Sequence, residues 1–130
     1  MEVVPQSRID LFAEMESHYE KEDTEYFVKL LDHDDYVVRC RATCILVDLG
    51  GEDKVQYIAK VLKDDPNELV RHEAAVALGV VGSTGEPEVL EKALNDPEES
   101  VRHSAVVALS NLEFMKTLCK SEKFGKLTGG

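Results

Sequence analysis

The sequence predicts an all-α protein, a right-handed solenoid of about three stacked helix pairs between terminal helices, and three observations carry that prediction. First, the stretch Leu69 to Gly82, Leu-Val-Arg-His-Glu-Ala-Ala-Val-Ala-Leu-Gly-Val-Val-Gly, returns in altered form on either side of itself. One copy starts Val-Val-Arg-Cys-Arg-Ala at Val37 and the other Ser-Val-Arg-His-Ser-Ala at Ser100, so Arg39, Arg71 and Arg102 recur every 31 or 32 residues. That period is in the range of repeat architectures. Second, each copy places apolar residues at i, i+4, i+7, i+8 and i+11, one face of a helix. The three sets are Val38, Ala42, Ile45, Leu46 and Leu49; Val70, Ala74, Ala77, Leu78 and Val81; and Val101, Ala105, Ala108, Leu109 and Leu112. Third, an acidic turn precedes each copy, and no stretch alternates with the period of two that a strand requires.

The elements follow in chain order. Ser7 with Asp10 three residues later forms a capping-box pattern, and Leu11, Phe12, Met15 and Tyr19 give the first helix an apolar face. Asp23 or Thr24 is placed to cap a second helix that turns Phe27, Leu30 and Leu31 inward. The turn Asp32 to Asp35 offers carboxylates to the positive N-terminus of the next helix, which Gly50 and Gly51 are expected to end through a left-handed residue. The second pair repeats the plan with Ile58, Val61 and Leu62, the turn Asp64-Asp65-Pro66, and the second repeat helix. The third pair starts at Pro87 with Leu90, Ala93 and Leu94, and turns at Asp96-Pro97. Proline in these positions stops one helix or opens the next. The alanines at the helix contacts predict closely approaching axes. Phe114, Met115, Leu118 and Cys119 suggest a short C-terminal capping helix, and the chain beyond Gly125 reads as frayed. The resulting boundaries are 7–22 for the N-terminal helix, 23–51, 52–85 and 86–112 for the repeats, 113–124 for the cap and 125–130 for the tail.

Charge narrows the partner. The 26 Asp and Glu against 15 Lys and Arg, a formal charge of −11 in 130 residues, disfavour the phosphate contacts that drive nucleic-acid binding. They favour another protein or peptide, a basic one, bound by a monomer or homodimer. Met1 to Pro5 lack the features of a signal peptide, and no apolar run reaches the roughly 18 residues of a membrane span. The chain is therefore expected to be soluble and cytoplasmic, with no membrane partner. Three cysteines, two of them within one helix pattern, fit buried thiols in a reducing compartment.

Helix pairs of this length, with Asp-Pro in the turn and Val-Arg-His-Glu-Ala-Ala-Val-Ala-Leu-Gly on the second helix, resemble HEAT repeats of the type found in phycobilin lyases and deoxyhypusine hydroxylases. The resemblance covers Asp23 to Leu112 and implies a HEAT/armadillo-type superhelix. It also implies a ladder in which a turn aspartate bonds a second-helix arginine of its own or a neighbouring unit. Asp65 with Arg71 and Asp96 with Arg102 match that pattern at a spacing of six, whereas the first copy has His33 at the aspartate position.

Alignment on the arginines brings Cys40, His72 and His103 into one column and Arg41, Glu73 and Ser104 into the next, off the apolar face. They are the candidate binding surface, expected on the concave side of the stack. Imidazole, thiolate and carboxylate also hold transition metals. In deoxyhypusine hydroxylases, His-Glu dipeptides at this place bind two irons, which here would make His72, Glu73 and His103 ligands. Only His72-Glu73 is intact, because His103 is followed by Ser104 and Cys40-Arg41 replaces the third pair, so two chains would be needed to complete a site. The sequence favours a non-enzymatic protein-binding scaffold without cofactor. An iron-binding hydroxylase-like dimer is the first alternative, and a bilin-lyase-like or chaperone relative the second.

Overall fold

The computed structural model describes residues 6–50, 52–81 and 86–120, and among them every regular element is helical. Helix α1 spans Gln6–Glu20, α2 Thr24–Leu30, α3 Tyr36–Leu49, α4 Val55–Asp64, α5 Glu68–Val80, α6 Pro87–Ala93 and α7 Glu99–Lys120; a short 3-10 turn, Glu52–Lys54, leads into α4. The pairs α2/α3, α4/α5 and α6/α7 form an α-solenoid whose second helices pack side by side, α3 on α5 and α5 on α7. Helix α7 runs unbroken through the span expected to hold a separate cap, so residues 113–120 are its own last turns. The remainder of that cap, the expected tail 125–130, Gly51 and residues 82–85 lie outside the described residues.

Local chemistry sets the helix starts. Asp23 accepts from the Tyr26 amide, Asp35 from the Val37 amide and Asn67 from the Leu69 amide, each satisfying a helix N–H that has no intrahelical partner. Pro87 opens α6, where its missing donor costs nothing. One helix end differs from expectation. Gly50 is extended, at φ −80° and ψ 152°, and not left-handed. Its glycine answers a steric need instead, because a Cβ there would lie 2.5 Å from the Leu46 carbonyl oxygen and 2.9 Å from the Lys54 side chain.

The periodic positions become a continuous core. Val38, Ala42 and Leu46 of α3, Val70, Ala74, Ala77 and Leu78 of α5, and Val101, Ala105, Ala108 and Leu112 of α7 are all buried. The first helices cover them with Phe27 and Leu30, Ile58 and Leu62, and Leu90 and Ala93. The close helix approach read from the alanines is present at α5 and α7: a Cβ on Gly79 would sit 2.8 Å from both Cα and Cβ of Ala108. Asn111 of α7 closes the same joint by donating to the Gly79 carbonyl at 2.8 Å.

Candidate protein-binding site

The arginine ladder positions the surface, and its bonds differ from the spacing-of-six expectation. Arg39 and Arg71 each reach their own turn through a backbone carbonyl and the next unit through a carboxylate. Arg71 donates through Nη1 to the Asp65 carbonyl at 2.9 Å, and through Nε and Nη2 to Asp96 at 2.9 and 3.1 Å. Arg39 likewise takes the His33 and Asp34 carbonyls and then Asp65, at 2.9 and 3.2 Å. Asp65 and Asp96 are thus shared between units, each also accepting an amide of its own turn, Asn67 and Glu98 respectively.

The first copy keeps this turn without an aspartate, because the His33 ring accepts the Asp35 amide at 3.0 Å. Its cross-joint carboxylate has moved two residues on, to Asp35, which takes both forks of Arg8 from α1 at 2.6 and 3.0 Å. Sequence reasoning placed Asp35 in the turn that faces the helix N-terminus but missed its bridge to Arg8, because that pair breaks the repeat register. The bonds from Arg8, opposed by burial and aided by the Val37 amide, hold the Asp35 carboxyl below its usual range. For Asp96, burial acts upward but is outweighed by Arg71 and the Glu98 amide, and its carboxyl is also held low.

Beside the ladder a groove of about 490 Å³ opens between the first and second pairs. Val28, Leu31, Tyr57 and Val61 line it with apolar surface, and Asp32, Asp34 and Asp64 stand at its rim. Those three residues are exposed, and their carboxylates have no hydrogen bond or ion pair among the described residues. Arg39, which also borders the groove, is already neutralised by Asp65, leaving Lys60 as the opposing cation. The groove is therefore net negative over an apolar floor, a combination that suits a cationic side chain with an aliphatic stem.

The six residues of the aligned columns do not form one open surface. Ser104 is buried and bonds His72 Nδ1 across the α5–α7 joint, and it donates to the Ser100 carbonyl at 2.9 Å. Arg41 lies over the Phe12 ring of α1, 4.1 Å from its centroid. Glu73 accepts from the Cys44 thiol at 3.1 Å, Cys40 is half-buried against the core, and His103 is exposed.

Cys44, expected in the core, is exposed. Desolvation and the Glu73 carboxylate nevertheless push its thiol up to about 12; desolvation, then Glu73 and Asp65, raise Cys40 to about 11. Burial and the neighbouring carboxylates thus oppose formation of the thiolate at both cysteines. Among the described residues no three His, Cys, Asp or Glu side chains converge as a metal-holding group. None of the described helices is long and apolar enough to cross a membrane.

A stack of helix pairs tied by shared aspartates, with a groove between units, defines a helical-repeat protein. The chain matches the HEAT repeats family over residues 24–110, more than half of its length, and belongs to that family. The match is to HEAT repeats as a class, and no curated protein matches the chain.

Proposed function

We propose that this protein is a binding scaffold whose partner presents a basic segment to the groove between the first two helix pairs. One observation carries the reading: three carboxylates without partners among the described residues, Asp32, Asp34 and Asp64, border the apolar surface of Val28, Leu31, Tyr57 and Val61. An arginine or lysine that lays its stem on that floor and its charge at the rim gains contact and ion pairing together. The ladder supports this because a surface held by shared aspartates loses little entropy on binding. The iron-hydroxylase alternative finds less support, since His72 has one ring nitrogen engaged by Ser104 and Glu73 is engaged by Cys44.

The reading is tested with a fluorescent peptide alternating Arg, Lys and Leu. Binding is expected at about ten micromolar, weakening severalfold as added salt screens the rim. Asp64→Lys, an exposed change remote from the core, should abolish it. Absence of binding by the native chain, or binding indifferent to Asp64→Lys, would reject the groove.

A further inference from the structure

A second cavity, about 520 Å³ in volume and sharing no residue with the groove, opens between α1 and α3. Phe12, Met15, Glu16 and Tyr19 line it from α1 at i, i+3, i+4 and i+7, one face of that helix, and Arg41 and Ile45 line it from α3. That volume falls in the range of sites that hold small molecules.

Its polar groups are of two kinds. Tyr19 is engaged, because its hydroxyl donates to Asp48 and fixes the ring as a wall. Arg41 and Glu16 are not: both are exposed, and neither side chain makes a hydrogen bond or an ion pair among the described residues. Two opposite charges thus share one cavity without meeting. The guanidinium is nevertheless held in place over the Phe12 ring, 4.1 Å from its centroid. Stacking takes the face of the group and leaves the N–H donors at its edge, where a carboxylate accepts two of them without displacing the ring.

Charge selects the ligand. An anion gains from Arg41 but meets Glu16 and a chain of formal charge −11, whereas a cation gains from Glu16 and meets Arg41. A molecule with one charge of each sign satisfies both groups and brings no net charge. The rest of the lining is apolar: Met15 is 3% exposed, and Phe12 and Ile45 are half-buried against the core.

We propose that the α1–α3 cavity binds a small apolar zwitterion, a free amino acid or a dipeptide with aliphatic side chains. Its carboxylate pairs with Arg41, its ammonium with Glu16, and its side chain rests on Phe12, Met15 and Ile45. The site differs in chemistry from the groove, which takes a cation.

The test titrates the full chain, labelled with 15N at arginine, with leucine and with leucyl-leucine, and follows the Nε–H resonance of Arg41. A saturable shift with a dissociation constant of about 0.1–1 mM is expected for at least one of them, and the tighter ligand reports which separation of charges fits. Acetylating the amine of that ligand, or converting its carboxylate to an amide, should each weaken binding at least about fivefold. Both comparisons use the native chain, so neither depends on the folding of a variant. Calorimetry on variants then assigns the partners: Glu16→Gln should remove the penalty of acetylation, and Arg41→Gln that of amidation. No saturable shift with either ligand overturns the proposal. Undiminished binding of the acetylated ligand also overturns it, making the cavity an anion site, as does undiminished binding by Arg41→Gln, which would leave Arg41 a staple on Phe12. Asp64→Lys should not change the titration, so this cavity and the groove fail separately.

Discussion

The joint between α5 and α7 and the joint between α1 and α3 perform the same task with different means. At the first, small residues bring two helices together at Gly79 and Ala108, Asn111 ties the backbone, and Arg71 spans to Asp96. The ion-paired side chains there are 12% and 9% exposed. At the second, α1 offers Met15 to the core, rests Phe12 beneath Arg41, bonds Tyr19 to Asp48, and sends Arg8 to Asp35 with the two side chains 22% and 21% exposed. The repeat joint is backbone-close and dry, whereas the α1 joint is a set of side-chain bridges. A bidentate arginine is the one device they share, and its worth depends on how much water reaches it.

Breaking the inner bridge should have the largest effect. Arg71→Ala strands the Asp96 carboxylate and the Asp65 carbonyl in a nearly dry joint, and we expect a loss of about 3 kcal/mol in denaturant unfolding. An unchanged midpoint would mean that the ladder contributes nothing to the joint. Next is Gly79→Ala. The added methyl meets the backbone of Ala108, which cannot swing aside, so the helices must part at a cost of about 1–3 kcal/mol. A stabilised variant, the usual result of replacing a helical glycine, would show that the joint has slack.

What the sequence disclosed follows the same division. The repeat joints were legible because burial at a helix face imposes a period, and Val38, Val70 and Val101 keep it without a gap. The ladder was legible in its members but not in its wiring. A spacing of six places a turn aspartate near its own arginine, yet only three-dimensional stacking shows that the carbonyl is taken within the unit and the carboxylate across it. The α1 joint was not legible, since Arg8 and Asp35 lie 27 residues apart and outside the repeat register. Alignment of the copies finds equivalent positions, but it does not show that Ser104 is buried against His72 while His103 is exposed.

The outer bridge is expected to matter less. Arg8→Ala should cost about 1 kcal/mol at neutral pH, because water solvates Asp35 once its partner has gone. Acid sharpens the contrast. Asp35 and Asp96 both have folded-state pKa values below the unfolded value, so their stabilisation is complete above about pH 4 and is lost as the pH falls through the lowered folded values. The native chain should therefore destabilise on acidification below about pH 4, and the deficit of Arg8→Ala should shrink over the same window. A deficit independent of pH would place the role of Arg8 in packing and not in its bond to Asp35.

The smallest effect isolates what the aspartate of a repeat turn is for. Asp65 has two duties, accepting the Asn67 amide of its own turn and the Arg39 guanidinium of the preceding unit. His33 performs only the first, accepting the Asp35 amide, since Arg8 delivers its charge to Asp35. If the duties are separable, His33→Asp should leave stability within about 0.5 kcal/mol, because the amide keeps an acceptor and no inward arginine is waiting. His33→Ala should cost about 1 kcal/mol, the worth of the lost turn bond. A gain of more than about 1 kcal/mol from His33→Asp would show that Arg8 can transfer to the new carboxylate, making the α1 joint a displaced form of the repeat joint.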